Sequence, residues 1–213
     1  SDSVQLIGFS PINPNLLSVI GNAQFNSGDG GTITVSTKRL IALEGGSVTS
    51  ANFGTGQGGT VTVNAIEAVE IIGVTPLLIP SNVDSNAVNA GDGGAVAINT
   101  ARLVLRDGGV VNSSAVATGN AGSVTINASE FIEISGTVPG SPIPTFMGSS
   151  ALSAAESLRQ AFGLPDRPSG NSGSLTINTP DLSVTDGAIV TVSNDGTGST
   201  GILRVNANSI VVD

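Results

Sequence analysis

Two pairs of glutamates, Glu67 with Glu70 and Glu130 with Glu133, occupy the same place in a phrase that recurs along the chain, with Arg106 and Asp107 on the phrase between them. Paired carboxylates are the groups that cleave glycosidic bonds, one as acid and one as base or nucleophile, and an arginine beside an acid is the usual equipment of a polysaccharide lyase. A second set of acids sits in glycine turns, Asp29 in "SGDGG" at 27–31 and Asp92 in "AGDGG" at 90–94, where a carboxylate and turn carbonyls together suit a hard cation such as Ca²⁺. Both sets have a plainer reading. The glutamates recur with the repeat, as solvated outward residues do, and Asp is a common turn former. Gln57, Asn120, Asn171 and Ser199 hold the position of Asp29 and Asp92 in the other repeats, without the charge. The reading is therefore a chain without catalytic residues or cofactor, Asp29 and Asp92 being its only candidates for a metal.

The rest of the composition narrows the chemistry further. The 213 residues include no His, Cys, Trp or Tyr, so there is no near-neutral proton shuttle, no thiol nucleophile or thiolate metal site, and six Phe are the only aromatics that a sugar ring could stack on. A net charge of −9 with only seven Lys and Arg leaves no basic patch for nucleic acid or an anionic membrane. No apolar run is long enough for a membrane-spanning helix, and the opening "SDSVQLIG" is not a signal peptide, so a secreted form would take its signal from upstream.

The elements that must hold these residues come from one repeat. Glycine clusters begin at Gly28, Gly56, Gly91, Gly119, Gly170 and Gly198, at spacings of 28, 35, 28, 51 and 28, so the longer intervals are 28 plus inserted sequence. Three residues into each cluster stands a corner glycine: Gly31, Gly59, Gly94, Gly122, Gly173 and Gly201. An alternating strand follows, as in "VTIN" at 124–127, and then Asn64, Asn99, Asn127, Asn178 and Asn206 recur, with Ser36 in the first copy. These asparagines are expected to stack as an amide ladder at the ~4.8 Å strand spacing, a ligand-binding row being the alternative. A second apolar column is expected at Leu40, Ala68, Leu103, Phe131, Leu182 and Ile210, followed by turn glycines Gly45, Gly73, Gly108, Gly136 and Gly187. A third strand is read in alternate copies, at 47–50, 110–114 and 189–193.

One such unit cannot bury its own apolar face, and stacking builds a continuous core. The fold class expected is all-β, a parallel β-helix of six to seven coils of ~28 residues, forming a single domain over 1–213 from three two-coil repeats. Copies with Glu44, Asp107 or Asp186 before the turn glycine run on without interruption, and the others accept extra sequence. The larger insertion, 137–169, is expected to carry a helix near 150–163, with Leu152, Ala155, Leu158 and Phe162 on one face and Ser153–Glu156 as a capping box.

The block "GNAGSVTINASEFIEISGT", with "LVLRDGGVVNSSAVATGNAGS" and "LSVTDGAIVTVSNDGTGS", resembles the repeats of filamentous-haemagglutinin-like surface exoproteins of the two-partner secretion type, particularly cyanobacterial ones. The likeness covers all but the 137–169 insertion and brings no catalytic residues. It implies a right-handed coil, export to the bacterial cell surface through an outer-membrane partner, and work as adhesin, filament or biofilm matrix. No counterpart of the secretion domain such proteins use is read here. The expected function is thus an extracellular structural or adhesive solenoid that self-associates end to end or laterally and meets cell-surface glycans, without nucleic acid or membrane insertion. A polysaccharide-binding or polysaccharide-degrading β-helix is the alternative.

Overall fold

The computed structural model describes residues 1–141 and 144–213, and its secondary structure is nearly all β. Its strands are β1 (Ser3–Ile7), β2 (Val19–Gln24), β3 (Ile33–Leu43), β4 (Ser47–Asn52), β5 (Val61–Ile72), β6 (Asn82–Ala87), β7 (Val96–Arg106), β8 (Val110–Ala115), β9 (Val124–Ser135), β10 (Phe146–Ala151), β11 (Leu175–Asn178), β12 (Asp181–Thr185), β13 (Ile189–Asn194), β14 (Leu203–Asn206) and β15 (Ser209–Val212). One short helix, α1 (Glu156–Phe162), interrupts them. No helix among the described residues is long and apolar enough to cross a membrane.

All strand pairings between these elements are parallel and form two sheets. The first runs β1-β3-β5-β7-β9-β11-β14, with β12 beside β9 and β15 beside β12. The second runs β2-β4-β6-β8-β10-β13. Each strand pairs with its equivalent one repeat away, so the β-branched residues at alternate positions stand over one another: Ile33, Val61, Val96, Val124, Leu175 and Leu203 form one row. Val48, Val83, Val111 and Met147 of the second sheet, all fully buried, join Val63, Ile98 and Ile126 of the first in one core. Fully burying a side chain of this size stabilises by about 1.5–3 kcal/mol, which is what holds each repeat on the next.

The connections alternate between two kinds. Glu44–Gly45, Asp107–Gly108 and Asp186–Gly187 each place two successive residues at positive φ, and the third residue's N–H returns to the residue before the pair, as Gly109 to Arg106 at 3.0 Å. This is the geometry of a type I′ turn, for which Asp-Gly is a favoured sequence. At Gly8, Gly73 and Gly136, also at positive φ, the chain instead leaves as a loop and is pinned on its return: Ser18, Ser81 and Thr145 donate their N–H to those glycine carbonyls.

The structure corrects four expectations. The second apolar column is Leu40, Val69, Leu103, Ile132 and Leu182, not Ala68 and Phe131. The reason is the bend in each long strand. In β3 and β7 a threonine closes it, Thr37 and Thr100 donating to the carbonyls of Arg39 and Arg102, whereas β5 and β9 carry Ala65 and Ala128 there and accommodate one more residue. The third strand occurs in successive coils, not only in alternate copies, since β2, β6 and β10 join β4, β8 and β13 in the second sheet. The region 137–169 is not one insertion: residues 146–151 are strand β10, flanked by a loop before and an excursion after, and the helix is confined to Glu156–Phe162. Finally, no capping box forms. Ala155 is the N-cap, without a side-chain bond, and Ser153 instead gives its backbone N–H to Asp195 at 3.3 Å. Pro142 and Ile143, within the expected insertion, lie outside the described residues.

Helix α1 buries none of its residues. Phe162 stacks on Phe53 at 5.9 Å, and Phe53 on Phe25 at 5.1 Å, an aromatic column along the flank of the second sheet.

Candidate functional site

The glutamates lie on the outer face of the first sheet. The register sets Ile41, Glu70, Val104, Glu133 and Ser183 in one row, so Glu70 and Glu133 stand two strands apart, about 9.6 Å, with a valine between them. Each already has a cationic partner: Arg39 reaches Glu70 at 2.8 Å, and Arg106 reaches Glu133 at 2.5 Å from one guanidinium nitrogen and 2.7 Å from another. Arg102 stands 3.9 Å from the exposed Glu130, and Glu67 is also exposed. Asp107 serves in the type I′ turn described above. The arrangement is a set of cross-strand ion pairs, each worth under about 1 kcal/mol at such exposure, rather than two carboxylates facing one bond.

At the glycine corner, Asp29 accepts the backbone N–H of Gln57 at 2.9 Å, and Asp92 accepts both the backbone N–H and the side-chain amide of Asn120, at 2.8 and 2.9 Å. Asn120 Oδ1 does the same for Asn171, and Asn171 Oδ1 accepts the N–H of Ser199. What Asp and Asn share here is a side-chain oxygen three bonds from Cα that reaches the next repeat, and the charge is incidental to that bond. Among the described residues no group of three or more His, Cys, Asp or Glu side chains could hold a metal ion.

The five asparagines are brought into one row. Asn99 donates to Asn64 at 2.9 Å, Asn127 to Asn99 at 2.8 Å, Asn178 to Asn127 at 2.8 Å and Asn206 to Asn178 at 2.7 Å. One amide per repeat lets Asn99, Asn127 and Asn178 each donate to one neighbour and accept from the other.

The corner glycines are explained by crowding rather than by φ. A Cβ on Gly59, Gly94, Gly122, Gly173 or Gly201 would lie 2.0–2.2 Å from the carbonyl oxygen of the equivalent glycine one repeat earlier. Gly31, first in the row, has more room, its nearest neighbour being Asn22 at 3.5 Å. Buried serines of the second sheet lock this contact. Ser113 accepts the N–H of Gly122 at 2.8 Å and donates to the carbonyl of Gly94 at 3.0 Å; Ser85 bridges Gly94 and Gly59, and Ser149 bridges Gly173 and Gly122, in the same way. Sequence reasoning missed this row, because β10 was read as insertion and β6 was not read as a strand.

Among the described residues the buried Gln24 Oε1 and Arg159 Nε lack a partner singly, and one place gathers two such atoms. On the outer face of the second sheet a cavity of about 360 Å³ has a polar floor of Asn82, Asp84, Asn86, Asn112 and Thr191. Asp84 is 6% exposed, and its Oδ1, like the buried Oδ1 of Asn112 on the adjacent strand, has no hydrogen-bond partner. Its other oxygen accepts the Asn86 amide at 2.9 Å. Burial pushes the carboxyl from 3.8 up to about 6, against the Thr49 and Asn86 side chains, which favour the charged form. The available signal was an acid at the position that carries Thr49, Asn112, Gly148 and Thr191 in neighbouring strands. Comparison with family models, with curated proteins and with solved structures gave no match.

Proposed function

We propose that the chain is a right-handed parallel β-helix serving as a structural, adhesive element of an extracellular bacterial surface, in the manner of filamentous-haemagglutinin-like exoproteins, and that it extends by stacking end to end. The observation that carries this reading is the register: every strand of both sheets pairs in parallel with its equivalent one repeat away, so the core columns and the asparagine ladder are patterns that a further repeat, of this chain or of another copy, can continue. An exposed row of strand edges with core residues beside it is a template for another strand pair. The ladders support the same conclusion, because Asn206 presents to the next position the groups that Asn178 presents to it.

Ion pairing of Glu70 and Glu133 argues for an outer face that is a surface rather than a catalytic groove. Polysaccharide degradation is therefore the weaker reading, and the Thr, Ser and Asn that line the outside suit contact with glycans or lateral packing. Negative-stain electron microscopy of the purified chain over a concentration series tests the stacking. Fibres with a ~4.8 Å axial repeat are expected. Separate short rods at every concentration would overturn it.

A further inference from the structure

The Asp84 cavity is built by the parts of the chain that break the repeat. Its floor is the outward face of β6, β8, β10 and β13, where Gly148, between Asn112 and Thr191, lets the Phe146 ring lie across it: a Cβ there would stand 2.7 Å from Phe146 Cζ. Its walls are apolar: Val110, Phe146, Leu152 and Ile189, with Pro80 from the loop after Gly73 and Pro144 from the loop after Gly136. Buried serines elsewhere in the second sheet are bridged, as Ser113 is on the same strand as Asn112, while Gln24 Oε1 on β2 also lacks a partner among the described residues. Here Asp84 Oδ1 and Asn112 Oδ1, on adjacent strands, have no hydrogen-bond partner among the described residues, the Thr49 side chain on the other flank of Asp84 favouring its charged form.

Two acceptors, one of them a carboxylate, call for a ligand that donates and carries positive charge. A hydrated divalent ion is a poor fit, since Ca²⁺ takes six to eight oxygens and these walls are hydrocarbon. An organic cation uses both features, because its charged head meets the oxygens and its body lies against the apolar side chains. We propose that this cavity binds a primary ammonium group on an apolar stem, seated between Asp84 Oδ1 and Asn112 Oδ1 and walled by Phe146, Leu152 and Ile189. The source is a free amine or a lysine side chain. Among the described residues Asp84 is the only titratable one lining the cavity, and it sets the pH dependence of binding.

The test is calorimetric titration of the purified chain with benzylamine, with benzyl alcohol as the neutral isostere, and with Nα-acetyl-lysine amide, alongside amide shifts of Asn112 and Thr191 by NMR. At about pH 7.5 benzylamine is expected to bind at least about tenfold more tightly than benzyl alcohol. Its affinity should fall about tenfold near pH 5, as the Asp84 carboxyl takes up its proton. Asp84→Asn should abolish the preference for the amine, and Asn112→Leu should weaken binding several-fold with the pH dependence retained. Tighter binding by benzylamine than by the lysine amide assigns a free amine, and the reverse order assigns a lysine side chain. Equal affinity for the alcohol, unchanged binding by well-dispersed Asp84→Asn protein, shifts confined to other regions, absence of binding, or the same shifts with CaCl₂ would each overturn the proposal.

Discussion

Asn112 and Ser113 are neighbours on β8, pointing to opposite faces of the second sheet, and their surroundings differ completely. Ser113 is fully buried, and its hydroxyl both accepts and donates across two corner glycines. Asn112 points outward, yet its oxygen is buried and without a partner, next to the equally unpartnered Asp84 Oδ1. On the inner side four successive strands supply the same serine, Ser50, Ser85, Ser113 and Ser149, between Asn22 and Val192, and the last three of these serines each bridge two corner glycines at the strand spacing. On the outer side the residue type changes at each repeat, from Thr49 to Asp84, Asn112, Gly148 and Thr191, and no ladder forms. Periodicity satisfies buried polar atoms, and its local loss leaves acceptors for something else to satisfy. Buried polar groups left in this condition cost free energy and are characteristic of sites rather than scaffolds.

The contrast can be broken most strongly at the corner. Gly122→Ala puts a Cβ 2.1 Å from the Gly94 carbonyl oxygen, where backbone on both sides leaves nothing flexible to yield, and is expected to destabilise by about 3 kcal/mol or more. The midpoint of urea unfolding measures it, and an unchanged midpoint would show that the repeats are not in such close contact.

Next in size is the pH response of Asp84. Because its folded-state carboxyl is raised from 3.8 to about 6, the folded chain holds a proton that the unfolded chain has lost between about pH 4 and 6, so stability falls as pH rises through that window. The expected fall is about 3 kcal/mol. Asp84→Asn should remove that contribution and stabilise the protein above about pH 6, by about 2–3 kcal/mol, the opposite sign to any change at the serine row. A wild-type slope retained in the variant would mean that another group is responsible.

Ser113→Ala takes both bonds from two buried backbone groups and is expected to cost about 2 kcal/mol, read from the same unfolding curves. The smallest effect belongs to Asn127→Ala. Asn127 also makes two ladder bonds, but it is exposed and water replaces them, so a loss below about 1 kcal/mol is expected. If this variant proved as damaging as Ser113→Ala, the outer amide row and not the buried serines would carry the register.

Features that occur once per repeat at a constant offset were legible in the chain itself. The alternating valines and isoleucines, the corner glycines and the five asparagines needed no more than the 28-residue interval, because parallel pairing sets equivalents side by side. Even there, counting from the glycines misplaced Ala68 and Phe131, since an alanine at the bend in place of threonine admits one more residue and turns the following strand by one position. Composition determined just as directly that thiol and histidine chemistry are absent. Only the tertiary structure decided the rest. Strands β6 and β10 were hidden inside sequence of irregular length, and their membership in the second sheet depends on pairing with residues 28 to 43 positions away rather than on their own pattern. Asp84, Asn112, Thr191 and the two prolines share no interval, so nothing local marks them as neighbours. Their meeting in one cavity follows from how the loops return, because the environment of a buried carboxyl is made by whatever the rest of the chain brings to it.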